Sequence, residues 1–345
     1  MDMYRVLGKT NLRVFVVGFG GIPIRVLSID DAVKVVRRAY ELGVNFYDTA
    51  RGYGDSERKI GLALKDVREN VIIATKTPSR DYDGAMRDLE KSMSELDVDY
   101  IDVWQLHNVS SFDTLERVLS SDGALQALRD ARQDGKVRFI GITGHNIEVL
   151  LKAIEAYSFD TIQFPFNYIA DDAKYELIPK ARELNIGTII MKPLAGGELS
   201  YPIAALRYIL GHDVSVIIPG MKSISEVEEN VNSIIENPTL SEEELRLIEE
   251  DKARLDKVFC RGCMYCMPCP NSIPISPLLR IQQFINRTGF SEAVLRIYER
   301  AKQTVPNCTK CLQCEEKCPY KLPITQLIQE KLAWLESQLK SSHKI

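Results

Sequence analysis

The first 259 residues of this 345-residue chain contain no cysteine. No disulfide can form within them, so that portion must be held by a packed apolar core. A basic excess is lacking as well. Lys and Arg number 44 against 48 Asp and Glu, a formal charge of −4, which argues against nucleic acid or an anionic membrane as the main partner. No apolar run reaches the roughly 18 residues that a spanning helix needs. The stretch from Val14 to Ile24 is interrupted by three glycines and a proline, and reads as a buried strand and its following loop. The start, Met1-Asp2-Met3-Tyr4-Arg5, has neither the basic lead nor the apolar core of an export signal. The expectation is a cytoplasmic protein with no membrane segment, long enough for one large α/β domain and a small one.

All eight cysteines fall after residue 259, in two runs of four, each followed directly by proline. They are Cys260, Cys263, Cys266 and Cys269 before Pro270, and Cys308, Cys311, Cys314 and Cys318 before Pro319. The sequel repeats too: Pro270-Asn271-Ser272-Ile273-Pro274-Ile275 against Pro319-Tyr320-Lys321-Leu322-Pro323-Ile324. Thiolates are soft ligands that suit iron–sulfur clusters and zinc. Zinc sites use separated cysteine pairs more than triplets, and disulfides need an oxidising compartment. The second run fits C-x2-C-x2-C-x3-C-P and resembles the run with which bacterial ferredoxins hold cubane clusters; the first is one residue shorter before its last cysteine. In two-cluster ferredoxins the proline-flanked cysteine ligates the other cluster. The resemblance therefore implies two [4Fe-4S] clusters, one on Cys260, Cys263, Cys266 and Cys318, the other on Cys308, Cys311, Cys314 and Cys269.

The segment between the runs is too long for the two-strand arrangement of small ferredoxins. Leu278, Ile281, Phe284 and Ile285 recur at helical spacing, as do Ala293, Val294, Ile297, Tyr298 and Ala301, and later Leu327, Ile328, Trp334, Leu335 and Leu339. Residues 256–345 thus resemble the all-helical ferredoxin domain, in which short helices carry the cysteine loops.

In the first 250 residues, short β-branched runs alternate with amphipathic stretches. Strands are expected at 14–19, 45–48, 71–76, 101–107, 138–143, 161–164, 188–191 and 214–219, with helices such as 29–42, 85–96, 147–156 and 173–184 between them. Eight such strands imply a parallel sheet, and eight is the count that closes a (β/α)8 TIM barrel. An open doubly wound sheet would want a phosphate fingerprint after its first strand, and Gly18-Phe19-Gly20-Gly21 is not one. The barrel is expected to occupy residues 1–255. Ser241 and Glu244 form a capping box for the acidic helix that joins the two parts.

Barrel chemistry sits at the C-terminal ends of strands. Asp48, Lys76 and His107 end the second, third and fourth strands, and Tyr53 lies five residues past Asp48. Singly, each has a bland reading: a strand-end Asp often caps the next helix, a Lys there snorkels, and a lone His is more often structural. All four together on consecutive strands are much harder to explain that way. The chain here resembles the aldo-keto reductases, through Tyr4-Arg5-Val6-Leu7-Gly8-Lys9-Thr10, Gly18-Phe19-Gly20-Gly21, and the segment from Tyr47 to Glu57. The likeness continues in Ala74-Thr75-Lys76, Trp104-Gln105-Leu106-His107, and Ile218-Pro219-Gly220 leading to Glu229-Asn230. It implies a catalytic tetrad of Asp48, Tyr53, Lys76 and His107 that reduces a small-molecule carbonyl.

The resemblance further implies a nicotinamide cofactor, NADP(H) or NAD(H), with contacts from Gly21, Asp48, Thr143, Gln163 and Asn230. Departures from the family pattern are several. Gly144 replaces an asparagine, leaving His145 for that contact. Met191, followed by Lys192, stands where a stacking tyrosine is usual. Gly220 and Glu226 replace basic residues near the 2′-phosphate, so Lys222 alone remains as its cation. The alternative reading is an electron-transfer or redox-sensing module whose barrel mainly binds nucleotide. Nicotinamide gives two electrons as hydride whereas each cubane takes one, and a ferredoxin or another electron carrier would then be a partner.

Overall fold

The computed structural model describes residues 3–341, apart from the side chains of residues 287 and 288. The chain divides into two compact units, one of Met1–Leu194 with Tyr201–Leu245, the other of Ala195–Ser200 with Arg246–Ile345. The helix Glu242–Leu255, expected as the joint, carries that boundary within it. Its capping box forms as expected: Ser241 N donates to Glu244 Oε2 at 2.9 Å, and Glu244 N to Ser241 Oγ at 3.2 Å.

The first unit opens with an antiparallel hairpin, β1 (Tyr4–Val6) and β2 (Arg13–Phe15). Eight parallel strands follow: β3 (Phe19–Gly20), β4 (Phe46–Asp48), β5 (Ile72–Thr77), β6 (Ile101–Leu106), β7 (Val137–Thr143), β8 (Thr161–Pro165), β9 (Gly187–Met191) and β10 (Val216–Ile217). Each pairs with the next in chain order. The two ends of the sheet also meet, for Val17 bridges Ile217 and Gly20 bridges Gly220. The result is an eight-stranded parallel sheet curled onto its own first strand, with helices between strands, consistent with a (β/α)8 barrel.

Two sequence expectations need correction. The run 14–19 is not one strand: Val14 and Phe15 pair backwards with β1, Val17 bridges β10 at the closure of the sheet, and only from Phe19 does the chain pair with β4. The hairpin competes for the same β-branched residues, and their pattern alone does not reveal the split. The helix expected over 173–184 is a short 3-10 turn, Asp172–Lys174, followed by a helix only over Leu177–Glu183.

Side chains alternate across each strand. Phe46, Ile72, Ala74, Val103, Ile189 and Val216 form a small apolar cluster with Leu7 and Val14 of the hairpin region. Their strand neighbours Tyr47, Ile73, Trp104, Ile162, Ile190 and Ile217 join the larger cluster that includes the helices. The small cluster is the filled interior expected of such a sheet. The same alternation, carried towards the strand ends, puts Asp48, Lys76, Gln105, Gln163 and Met191 on the interior face.

Beyond Leu255, the described residues of the second unit form the helices Ile275–Leu279, Ile281–Thr288, Glu292–Thr304, Gln313–Glu316 and Ile324–Ser341 and a 3-10 turn at Val305–Asn307, joined by irregular segments that carry most of the cysteines. Leu278, Ile281, Val294, Tyr298, Ala301, Leu327, Ile328, Leu335 and Leu339 are buried together, as their spacing predicts, whereas Ala293 is exposed. Among the described residues no helix is long and apolar enough to cross a membrane.

Closure of the sheet leaves no room at Gly20, where a β-carbon would stand 2.8 Å from the carbonyl oxygens of Ile218 and Pro219. Both obstacles are backbone and cannot swing away. Gly20→Ala should therefore cost roughly 1–3 kcal/mol. Gly52→Ala, with nothing within 4 Å of the new atom, should change stability by no more than about 0.5 kcal/mol. Equilibrium urea unfolding of the two variants compares them directly.

Candidate active site and cysteine cavities

Asp48 closes β4 and Lys76 lies near the end of β5, one strand away and on the same interior face. Lys76 Nζ donates to Asp48 Oδ1 at 2.8 Å, to Asp48 Oδ2 at 2.7 Å and to the Thr49 carbonyl at 2.6 Å. Both charged side chains are buried. Burial pushes the Asp48 carboxyl above the ordinary carboxylate range, and the Lys76 ammonium opposes that shift. Gln163 also hydrogen-bonds the carboxylate, and Gln105 Nε2 donates to Oδ1 at 3.5 Å. Gln105 escaped the sequence reading because a strand glutamine looks solvent-facing until the strand is known to be buried on both sides.

The loop after β4 is held at many points. Thr49 N donates to the Ala74 carbonyl at 2.8 Å and Arg51 N to the Lys76 carbonyl at 3.1 Å. Arg51 pairs with the fully buried Glu57 carboxylate, which also accepts from Thr75 Oγ1 at 2.6 Å. Tyr53 N donates back to the Ala50 carbonyl at 2.9 Å. This loop sets the Tyr53 ring with its centre 5.1 Å from Lys76 Nζ and 5.6 Å from the centre of the His107 ring, the two rings meeting edge to face. The four residues singled out from the sequence thus converge on one place.

His107 follows β6. Its amide donates to the Thr77 carbonyl at 3.0 Å, and its own carbonyl accepts from Arg80 Nη1 at 2.7 Å. Arg80 is a second residue the sequence reading passed over. Burial pushes the imidazole down to about 3, helped by the nearby cations Lys76 and Arg80. It is therefore neutral at physiological pH and offers one N–H donor and one acceptor.

The remaining candidates lie around the same strand ends. Thr143 ends β7, and its Oγ1 accepts from Asn108 N at 2.8 Å. His145 Nδ1 meets Asn108 Oδ1 at 3.0 Å. Gln163 Oε1 is buried and has no hydrogen-bond partner. Met191 ends β9, and the Lys192 carbonyl accepts from Asn167 Nδ2 at 3.0 Å. Gly21 N donates to the Asp48 carbonyl, and a β-carbon at Gly21 would stand 2.8 Å from that oxygen and 2.9 Å from Ser56 Oγ, so packing against β4 and the helix Ser56–Leu64 already requires glycine there. Gly220 bridges Gly20 across the sheet closure. Beyond it, Ser223 caps the helix Ile224–Glu236, Lys222 N donates to Glu226 Oε2 at 2.6 Å, and Asn230 is buried in the second turn.

In the second unit, one cavity is bordered by Cys260, Cys263, Cys266 and Cys318. Another, of about 410 Å³ including its open mouth, is bordered by Cys269, Cys308, Cys311 and Cys314, with Cys266 again at its wall. None of the eight cysteines is paired in a disulfide. Burial pushes the Cys266 thiol up to about 12, and the neighbouring Cys260, Cys263 and Cys318 add to the shift. Burial likewise pushes Cys314 up to about 11, with Glu315 and Cys269 contributing. Among the described residues no group of three or more His, Cys, Asp or Glu side chains is gathered to hold a metal ion.

The His107 shift carries a stability consequence. In the unfolded chain an imidazole near its ordinary 6.5 takes up a proton that the folded site refuses until about pH 3. The contribution of neutral His107 is complete above pH 6.5 and is lost as the pH falls through that window. His107→Gln, which cannot titrate, should lose less stability than the wild type between pH 7 and pH 4, as read from urea midpoints at each pH.

Comparison with known proteins places this geometry. The model of the aldo/keto reductase family matches residues 16–204. The chain is 30% identical to the L-galactose dehydrogenase of Arabidopsis thaliana over 297 residues, covering 71% of this chain and 92% of that protein. Four further relatives, 28–31% identical, are matched over 54–66% of their own length. Among solved structures, the holo form of an aldo-keto reductase from Bacillus halodurans is similar with a TM-score of 0.64 and 26% identity, covering 72% of this chain and 95% of that one. An aldo-keto reductase from Klebsiella pneumoniae in complex with NADPH shares the fold, with a TM-score of 0.62 at 21% identity and coverage of 72% and 95%. By the family match and by the paired Asp48 and Lys76 beside Tyr53 and His107, the chain belongs to the aldo/keto reductase family.

Proposed function

We propose that the first unit reduces an aldehyde or ketone with a nicotinamide cofactor, and that Tyr53 delivers the proton. The observation that carries this reading is the Lys76 ammonium held by Asp48 beneath the Tyr53 ring. A free phenol titrates near 10 and is a poor acid at neutral pH. An ammonium beside it stabilises the phenolate and so lowers the cost of releasing the proton. Asp48 keeps that ammonium in place at the floor of the site. Neutral His107 donates a hydrogen bond to the substrate oxygen and holds it near the Tyr53 hydroxyl, a preorganised polar site for an oxygen that gains charge.

The unsatisfied Oε1 of buried Gln163 fits a carboxamide N–H, and Met191 offers a polarizable side chain to a ring face. Lys222, Ser223 and Asn230 would hold the far end of the dinucleotide. Both NADP(H) and NAD(H) fit, since Glu226 faces the Lys222 backbone where a second cation would favour a 2′-phosphate. When bound, the nicotinamide supplies the hydride. Tyr53→Phe should lower kcat for aldehyde reduction by roughly 10²- to 10⁴-fold, while fluorescence titration shows nicotinamide binding nearly unchanged. Wild-type turnover in that variant rules Tyr53 out as the acid.

The second unit supports a further part of the proposal, two [4Fe-4S] clusters with crossed ligands. The donor set fits: each cavity is bordered by three cysteines of one run and the proline-flanked cysteine of the other. Zinc sites use separated cysteine pairs more than triplets, which favours clusters over zinc here. When bound, each cluster supplies one-electron exchange, with a ferredoxin or similar carrier as the proposed partner. Chain reconstituted anaerobically with iron and sulfide should hold both in the amounts of two cubanes. Cys318→Ser and Cys311→Ser should each lose one cluster and retain the other, as read by iron content and EPR. Bleaching of the visible absorption by NAD(P)H would favour the electron-transfer reading of the barrel over simple carbonyl reduction.

A further inference from the structure

Arg280 follows the helix Ile275–Leu279, and its guanidinium lies against the backbone of the first cysteine loop. A β-carbon at Gly262, between Cys260 and Cys263, would stand 2.4 Å from Arg280 Nη1 and 2.9 Å from Cζ. Gly262 has φ of +80°, so both its conformation and the missing side chain admit the guanidinium. No carboxylate pairs with Arg280 among the described residues. Its one hydrogen bond to a side chain is a long one, Nε to Gln283 Oε1 at 3.5 Å, and the Phe284 ring centre is 5.5 Å away. Burial pushes its guanidinium below the ordinary arginine range, and the side chains that oppose this are those of Cys260 and Cys263. The surroundings of the other cavity differ. There Cys311 is exposed, and the Glu315 carboxylate acts on Cys314.

Resting on the two-cluster reading above, we propose that Arg280 is a positioning and tuning residue for the first cluster alone. It holds the Cys260–Cys263 loop and supplies the positive charge that raises that cluster's reduction potential. Net charge and solvent exposure are what set such potentials. A cubane on four thiolates becomes more negative when it takes an electron. A cation fixed beside two of those thiolates favours the reduced state more than the oxidised one. The second cavity has Lys317 in its wall, but that side chain is exposed and water screens its charge, whereas Arg280 is withdrawn from water.

The test is a dithionite titration with redox mediators, followed by EPR, on the full reconstituted chain. Wild type, Arg280→Gln, Arg280→Met and Arg280→Lys are compared after iron and sulfide analysis of each. The expected result is that one midpoint potential falls in both neutral variants while the other stays put, and that Arg280→Lys falls less or not at all. Loss of one cluster's iron from both neutral variants, with Arg280→Lys fully loaded, supports the same conclusion. Unmoved potentials in a loaded neutral variant overturn it. So does an equal shift of both clusters, or a lysine variant as low or as iron-poor as the neutral ones, which would leave only a role of shape. A wild-type chain that takes up no iron instead overturns the two-cluster reading itself, and the iron analysis separates that outcome from the others.

Discussion

The barrel site is organised around one buried ion pair. Lys76 and Asp48 are almost wholly withdrawn from water, and each charge alone would be costly there. Together they satisfy each other through two hydrogen bonds, with the Thr49 carbonyl accepting the third ammonium proton. Removing one partner of such a pair typically costs about 3–5 kcal/mol, because the other is left buried and uncompensated. The pair is held in register by β4 and β5, whose pairing sets Asp48 opposite Ala74 and leaves Lys76 two residues further on. The Tyr53 loop, the Gln105 and Gln163 amides and the neutral imidazole of His107 all take their meaning from it.

A second buried pair supports the first. Glu57 and Arg51 tie the helix Ser56–Leu64 to the loop, and Thr75 ties Glu57 to β5 next to Lys76. Electrostatic sites work when their dipoles are fixed before the reaction begins. The fixing here is done by the buried Glu57 carboxylate, held at once by Arg51 and Thr75.

The helical unit presents the opposite problem. Its thiols are packed near one another, and burial together with mutual repulsion disfavours their charged form. A ligand that draws on all four thiolates at once would turn the same proximity into a cross-link between distant parts of the chain, coupling binding to folding. The proposed crossed ligation has that property, since Cys318 and Cys269 each face cysteines of the opposite run.

Much of this could be read from the chain itself. The β-branched runs marked the parallel strands, because strands buried on both faces have no polar alternation to disguise them. The segment around Asp48 and Tyr53, the Lys76 and His107 strand ends and the two cysteine runs were legible as patterns of residue type at fixed spacing. Tertiary structure alone decided the rest. The split of the run 14–19 depends on β1, and pairing partners are not written into a strand. Gln105 and Arg80 act through neighbours distant in sequence. Gly262 and Arg280, eighteen positions apart, meet only because a helix returns the guanidinium to the cysteine loop. Spacing along a chain fixes which side chains share a face, whereas contacts between faces arise from packing, and packing is a property of the folded whole.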